Sequence, residues 1–327
     1  MRLLIFGGSG FVGSAVARKA VARNWTVTSL SRSGKPFATP AGHRPAWVDK
    51  VDWRSGSAFD PSSYEELMQE SDAVVTTLGI LFEQEYKDSA SGSVSPLRVL
   101  GNVLGNWTGD RGNPLRTGSG ERQYEKINRD SALSLFRSFA STRSHLPSPA
   151  SSTPSPRSPF VYISAEDIFR PFVPSRYIQS KREAEAGITR LASESPETTR
   201  PIFVRPSLMY HPHLNPPSTL PATLLEATST LHALLPPSLH LFHSTASPFS
   251  SPSSSSPTPL PLPPALASFT SLLSIPPIHV DAVGEAVCRA IEHEGREGVL
   301  GVGEMREVLG LGRAEQRGGK EGGAVHM

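Results

Sequence analysis

The sequence predicts an α/β fold, a doubly wound parallel sheet followed by a small C-terminal lobe, and three observations carry that expectation. Apolar runs of strand length alternate with segments of helical periodicity over roughly the first 80 residues. A glycine series, Gly7-x-x-Gly10-x-x-Gly13, stands between the first apolar run and the first helical segment. Tyr177 and Lys181 lie one helical turn apart, with Ser164 at the end of an earlier apolar run.

Taken in order, residues 3–6 read as a buried strand and 12–23 as a helix with apolar residues at helical spacing. Residues 25–30 read as a second strand and 47–53 as a third. Residues 64–69 are expected to be helical and 73–78 to form a fourth strand, so right-handed βαβ crossovers build a parallel sheet. A helix over 125–140 then leads to a strand at 160–164, a helix at 177–191 and a strand at 201–205. Residues 142–159 and 244–265 are dense in Ser and Pro and read as disordered surface insertions at loops. The expected division is a Rossmann-type NAD(P)-binding domain at 1–205, a substrate lobe with closing helices at 206–311, and a frayed Gly-rich tail at 312–327.

Bulk properties narrow the function. A chain of 327 residues can bury one large core plus a smaller lobe. Its formal charge of +2 is too mild to imply nucleic acid, and no long basic stripe is present. Cys288 is the only cysteine, which rules out an intramolecular disulfide and fits a reducing compartment. Prolines or polar residues interrupt each apolar run before it reaches membrane-spanning length. The first strand begins at once, which leaves no room for a cleavable signal or transit peptide, so the expectation is a cytosolic protein or one with an internal address.

The glycine series is placed where a dinucleotide loop needs it. Gly7 permits the sharp turn, Gly10 lets the backbone approach a pyrophosphate, and Gly13 lets helix and sheet pack closely. Ser9, Phe11 and Val12 complete the loop, and the helix N-terminus offers free N–H groups and partial positive charge to phosphates. A tight βα turn without ligand is the plainer alternative. The second strand ends in Ser31-Arg32-Ser33-Gly34-Lys35, with none of the acid that an NAD-selective site usually presents to the ribose 2′-hydroxyl. Arg32 and Lys35 would instead neutralise a 2′-phosphate, with Ser31 or Ser33 donating a hydrogen bond. NADP(H) is therefore expected over NAD(H), with a solvated basic loop as the alternative reading. Thr77, Leu78 and Gly79, after the fourth strand, are expected beneath the riboses.

Ser164 ends an apolar strand, and ligands of doubly wound sheets gather at the carboxyl ends of strands, so this serine is expected to face the crevice. Tyr177 and Lys181 at i and i+4 share one face of their helix. A phenol ionises near pH ~10 and is a poor base at neutrality, but a nearby ammonium favours the phenolate. Tyr177 is thus the candidate acid/base for hydride chemistry on a carbonyl or alcohol. Lys181 would tune it and hold the ribose, and Ser164 would orient the substrate oxygen.

These residues resemble the atypical and extended short-chain dehydrogenase/reductases, the NAD-dependent epimerase/dehydratase-like group that includes the Rossmann-type accessory subunit of respiratory complex I. Tyr124-Glu125-Lys126-Ile127-Asn128 is similar to that family's asparagine-bearing helix, Val204-Arg205-Pro206-Ser207 to its Arg-Pro turn, and the segment 277–283 to its late substrate-domain motif. A narrower likeness runs through 31–36, 78–81 with Glu85-Tyr86-Lys87, 162–165 and 177–185, which are similar to fungal mitochondrial proteins of ubiquinone biosynthesis. The resemblance implies a matrix-side mitochondrial protein at the inner membrane, associated with the coenzyme Q biosynthetic assembly. It further implies NAD(P)(H) binding, with Asn128, Arg205 and Pro206 at the cofactor. Members do not all retain activity, so a non-catalytic assembly or regulatory subunit stands beside the hydride-transfer enzyme. A sugar-nucleotide epimerase or dehydratase is a third expectation, and the apolar segment 224–239 counts against it.

That segment would suit a prenylated quinone-related ligand and peripheral membrane association, although core packing is the better explanation of its leucines. His211, His213, His240 and His243 have no Cys or acid at ligand spacing, so no metal is expected. Cys288 lies in an apolar helical segment and reads as a small core residue rather than a nucleophile.

Overall fold

The computed structural model describes residues 1–79, 125–144, 156–167, 175–194, 196–214 and 275–310. The strands are β1 (Arg2–Phe6), β2 (Thr26–Ser31), β3 (Val51–Ser55), β4 (Ala73–Thr76), β5 (Ser158–Ile163), β6 (Thr199–Val204), β7 (Met209–Tyr210), β8 (Ile278–His279) and β9 (Gly298–Leu300). The helices are α1 (Phe11–Ala22), α2 (Glu65–Glu70), α3 (Ser131–Ser144), α4 (Ser175–Ser193), α5 (Val280–Glu292) and α6 (Val302–Val308). One parallel sheet runs β3-β2-β1-β4-β5-β6-β9, and β7 pairs with β8 separately. The expected α/β doubly wound architecture is present.

Continuous apolar runs such as Leu3-Leu4-Ile5-Phe6 follow from burial on both faces of the sheet. Leu3 and Ile5 point into the core shared with α1, α5 and α6, while Leu4 and Phe6 point into the core shared with α2, α3 and α4. The strand order reverses between β1 and β4, which opens a crevice at their carboxyl ends.

The structure departs from the sequence reading in three places. Residues 47–53 are not one strand. Ala46–Lys50 is a 3₁₀ turn after Pro45, and the strand begins only at Val51. The turn is held by side chains: Trp47 stacks on Phe37 at 5.5 Å, and the Trp53 indole donates to the Val48 carbonyl at 2.9 Å. The helix expected from residue 125 begins instead as a π-turn, Glu125–Asp130, which buries Asn128. The expected insertion at 142–159 loses both ends to regular structure. The helix runs on to Ser144, with the Thr142 and Ser144 hydroxyls donating to the carbonyls of Ser138 and Ala140 instead of to solvent. Strand β5 starts at Ser158. Residues 145–155, 224–239, 244–265 and 312–327, together with His240 and His243, lie outside the described residues.

The C-terminal elements close the sheet. Helix α5 crosses α1 at Gly284, where a Cβ would come within 2.8 Å of the Ala15 carbonyl. Glu285 joins the two helices electrostatically, 2.6 Å from Arg23, 3.5 Å from Lys19 and 3.0 Å from Arg289. The Arg23 guanidinium, reinforced by Arg289 and Lys19, pulls the Glu285 carboxyl from its ordinary 4.5 down to about 2. A depressed carboxylate stabilises the fold above its unfolded pKa and loses that effect as pH falls through the folded one. The melting-temperature gap between wild type and Glu285→Gln should therefore be full above pH 4.5 and close as pH approaches about 2. A gap that does not vary with pH would contradict this.

Arg200 of β6 is the largest fully buried side chain among the described residues. Its guanidinium donates to the carbonyls of Ala290 at 3.1 Å, Arg296 at 2.7 Å and Arg157 at 3.2 Å, and also to Ile291. It thereby satisfies carbonyls in the last turn of α5, which have no partner further along the helix. Arg200→Met keeps the aliphatic bulk and removes the donors, and should cost about 3 kcal/mol or more, read by chemical denaturation. A variant as stable as wild type would show that water replaces these donors.

Candidate functional site

The crevice is built on the turn that follows β1. Gly7 has φ +89°, a conformation that side chains rarely adopt, and its N–H donates to the Leu30 carbonyl of β2 at 2.9 Å. Thr77, just past β4, shares its one hydroxyl proton between the carbonyls of Phe6 at 3.0 Å and Gly7 at 3.2 Å, which fastens the loop to the neighbouring strand end. Gly10 is the N-cap of α1, where no side chain caps the helix and no acid occupies the first turn. The first-turn N–H groups are left to an external acceptor, and the helix dipole favours an anionic one. At Gly13 a Cβ would fall 2.2 Å from the Gly7 carbonyl oxygen, so helix and loop touch backbone to backbone. Gly10 and Gly79 are exposed, with Ser9, Phe11, Val12, Thr77 and Leu78 partly so around the crevice. An uncapped helix end against a loop with no room for side chains fits a dinucleotide pyrophosphate.

Beyond β2 the chain turns at Gly34, φ +62°, with its N–H bonded to Ser31 and the Lys35 N–H bonded to the Ser33 hydroxyl oxygen at 3.3 Å. Both serines accept in these bonds and keep their hydroxyl protons to donate. Arg32 and Lys35 are exposed, and neither forms an ion pair among the described residues.

Helix α4 brings the Tyr–Lys pair to the same end of the sheet. Lys181 is 2% exposed. Its Nζ donates to the carbonyls of Ile163 at 2.9 Å and Leu78 at 3.2 Å, spanning the carboxyl ends of β5 and β4. It lies 4.7 Å from the centre of the Tyr162 ring and 5.9 Å from that of Tyr177. Burial brings its ammonium down from 10.5 to about 7, against the weaker pull of Glu185. A Cβ at Gly79 would meet Nζ at 2.9 Å, so this glycine leaves open the space above the lysine. Glycine loop, Thr77–Gly79 and Lys181 are thus one bonded assembly. Tyr177 is partly exposed at its margin.

Ser164 follows directly on the carboxyl end of β5. It is 3% exposed, and its hydroxyl oxygen accepts from Arg182 at 3.2 Å while bonding Glu185, partners that sequence reasoning did not assign to it. Glu185 is buried between Arg182 at 2.8 Å and Arg205, whose Nε donates to it at 3.0 Å. Burial would raise the Glu185 carboxyl, but Arg205, Arg182 and Ser164 outweigh it and hold the carboxyl below its ordinary value. Arg205, expected at the cofactor, turns its guanidinium to Glu185, and Pro206 accepts the Glu166 N–H at 2.9 Å. Asn128 is buried, donating from Nδ2 to the Ser180 hydroxyl at 3.2 Å and accepting from the Tyr162 hydroxyl at 2.7 Å. Sequence reasoning passed over Arg182, Glu185 and Tyr162. The available signal was Arg182 and Glu185 at i and i+3, an arginine–acid pair one position round the helix from Lys181.

Away from the crevice, His211, His279 and Asp281 approach with ligand atoms within 4.8 Å of one another, so an acid does accompany the histidines. Their lone pairs are already engaged. The His211 Nδ1 accepts the N–H of His213 and of Leu214 at 3.2 Å, and the His279 Nδ1 accepts that of Asp281 at 3.2 Å. A ligating histidine donates from its other ring nitrogen, whereas here that nitrogen accepts. Asp281 is paired with Arg18. The group caps α5 and joins it to α1 and β7. Cys288 is buried, and desolvation pushes its thiol up to about 12, which leaves it inert.

Sheet order, glycine turn and Tyr–Lys helix together define a Rossmann-type protein of the short-chain dehydrogenase/reductase kind. Residues 3–91 match the NAD dependent epimerase/dehydratase family. The chain is 37% identical over 218 residues, 65% of its length and 74% of the relative's, to MIOREX complex component 2 of Saccharomyces cerevisiae. It is 33% identical over 98 residues to an uncharacterized chloroplastic protein of Arabidopsis thaliana, a match covering 30% of this chain and 31% of that protein. A short-chain dehydrogenase/reductase family oxidoreductase from Burkholderia thailandensis shares the fold, with TM-score 0.52 and 15% identity over 92% of this chain and 90% of that one. The chain belongs to the NAD dependent epimerase/dehydratase family. No helix among the described residues is long and apolar enough to cross a membrane.

Proposed function

We propose that this protein binds NADP(H) in preference to NAD(H) and transfers hydride to or from a quinone-related or other apolar carbonyl or alcohol in mitochondrial ubiquinone biosynthesis. One observation carries the chemistry: Lys181 is bonded to both Leu78 and Ile163, which holds the Tyr177 helix against the strand ends under the glycine loop. A bound nicotinamide would supply or accept the hydride. Gly7, Ser9, Gly10, Phe11, Val12 and Gly13 would hold the pyrophosphate, and Thr77, Leu78, Gly79 and Lys181 the riboses. In the reducing direction Tyr177 would give its hydroxyl proton to the carbonyl oxygen as hydride arrives at carbon, and would regain a proton from solvent. Turnover of NADPH with short-chain quinones and apolar carbonyls tests this. Loss of nicotinamide absorbance in wild type, absent in Tyr177→Phe, is expected.

The cofactor preference rests on Arg32, Lys35 and the hydroxyls of Ser31 and Ser33. Replacing Arg32 and Lys35 together by alanine should weaken NADPH binding roughly 10- to 100-fold, one or two charge-assisted bonds to a phosphate, and leave NADH nearly unchanged. Equal losses for both nucleotides would contradict the assignment. Similarity to a MIOREX complex component supports membership of a protein complex, and the family resemblance favours a mitochondrial one, the coenzyme Q biosynthetic assembly on the matrix side.

A second reading, a non-catalytic dinucleotide-binding assembly subunit, is favoured by Ser164. A hydroxyl has one proton to donate, and this one is engaged with Glu185 while its oxygen accepts from Arg182. On this reading Tyr177→Phe is silent in cells, whereas Gly10 substitutions destabilise the assembly.

A further inference from the structure

We propose that Tyr162 is a positioning residue for Lys181, its ring face supporting the ammonium and its hydroxyl anchoring that ring to the Asn128 carbonyl. The inference rests on the reading of Lys181 as the ribose-binding, proton-tuning lysine of the crevice.

Lys181 is enclosed, and no carboxylate forms an ion pair with it among the described residues. Its Nζ has two carbonyl partners, Ile163 and Leu78, and both can accept N–H from an amine or an ammonium. The face of Tyr162 is different, because its quadrupole attracts the cation far more strongly than the neutral amine. At 4.7 Å it is nearer than the Tyr177 ring at 5.9 Å. The ring therefore opposes the desolvation that brings Lys181 down to about 7.

Tyr162 is held for this role. It is 0% exposed and alternates with Ile163 along β5, so its ring enters the core beneath α4. A buried phenol needs a partner, and its hydroxyl donates to the Asn128 carbonyl at 2.7 Å. Asn128 in turn donates to Ser180 at 3.2 Å, and Ser180 donates to the Tyr177 carbonyl at 2.8 Å. One run of bonds thus connects the ring under Lys181 to the helical turn that carries Tyr177. The π-turn at Glu125–Asp130 is what brings Asn128 into this run.

The test follows the Lys181 side chain by carbon NMR in the full chain, lysine-labelled and without nucleotide, with Lys181→Met assigning the resonance. Wild type should titrate with a midpoint of about 7. Tyr162→Phe keeps the ring and should stay close to that midpoint. Pentafluorophenylalanine at position 162 has nearly the same shape with the quadrupole reversed, and should move the midpoint acidward by on the order of one pH unit. Coincident midpoints for the two rings would overturn the proposal. A merely structural role would lower the melting temperature of both variants without separating their midpoints. Tyr162→Leu, which removes the ring, should also titrate below Tyr162→Phe, and a midpoint at or above it would count against the proposal. NADPH titration of the same samples keeps the two ideas apart. Separated midpoints in a protein that binds no nucleotide would uphold the Tyr162 assignment and remove the ribose role of Lys181.

Discussion

Replacing Tyr177 with phenylalanine is expected to lower turnover by roughly 100- to 10,000-fold, the usual worth of a positioned acid/base group, while NADPH affinity stays within about twofold. The phenylalanine ring fills the same space near Lys181, whose main anchors are the carbonyls of Ile163 and Leu78 rather than the phenol. Nucleotide contacts expected from the glycine loop and from Thr77–Gly79 are untouched. What disappears is the hydroxyl that the proposed mechanism uses to protonate the substrate oxygen, while Ser164 stays engaged with Arg182 and Glu185. Steady-state rates alongside a binding titration check both halves. Undiminished turnover would remove Tyr177 from the mechanism, and a matching loss of affinity would make it a binding residue.

Gly13→Ala should be the most damaging single methyl in the crevice. The added Cβ would fall 2.2 Å from the Gly7 carbonyl oxygen and 2.7 Å from the Gly8 Cα, and both are backbone atoms that cannot rotate aside. Either α1 lifts from the sheet or the turn opens, and each displaces the first-turn N–H groups from their aim. Overpacking of this kind costs about 1–3 kcal/mol, a fall in melting temperature of roughly 2–5 °C for a chain of this size. NADPH affinity should fall more than tenfold as well, because the anion site is formed by the displaced groups. Gly10→Ala is the contrasting variant. Its Cβ would lie 3.2 Å from the Gly7 oxygen, a tight contact that small shifts relieve. It should leave melting nearly unchanged and weaken binding, because the methyl stands where the backbone meets the ligand. Equal melting temperatures for the two variants would contradict this account of the loop.

Much of the sheet was legible because strands buried on both faces read as unbroken apolar runs, as in Leu3-Leu4-Ile5-Phe6 and Phe160-Val161-Tyr162-Ile163. Strand β9 was not, since its three residues, Gly298-Val299-Leu300, carry no period and are recruited by β6. Residues 47–50 misled because Trp47, an aromatic residue of the kind strands favour, sits in a 3₁₀ turn and packs on Phe37 and on Trp53 of β3. In the crevice, the glycine turn and Lys181 could be read because each follows from local spacing. The engagement of Ser164 could not, because it needs Arg205 arriving from the end of β6 to complete the charge around Glu185. Tyr162 was hidden for a similar reason. Its ring meets Lys181 only once β5, the π-turn and α4 are assembled. Long-range pairings of this sort leave no period in a single sequence.

The most direct test of the central claim, a dinucleotide held at the glycine loop, is a titration of the purified full chain with NADPH and NADH side by side. The account predicts saturable binding with NADPH the tighter ligand, and weaker binding of both in Gly10→Ala. Binding of neither nucleotide by a cooperatively melting protein would contradict it, and the Tyr177–Lys181 pair would then be a feature of the fold without chemistry.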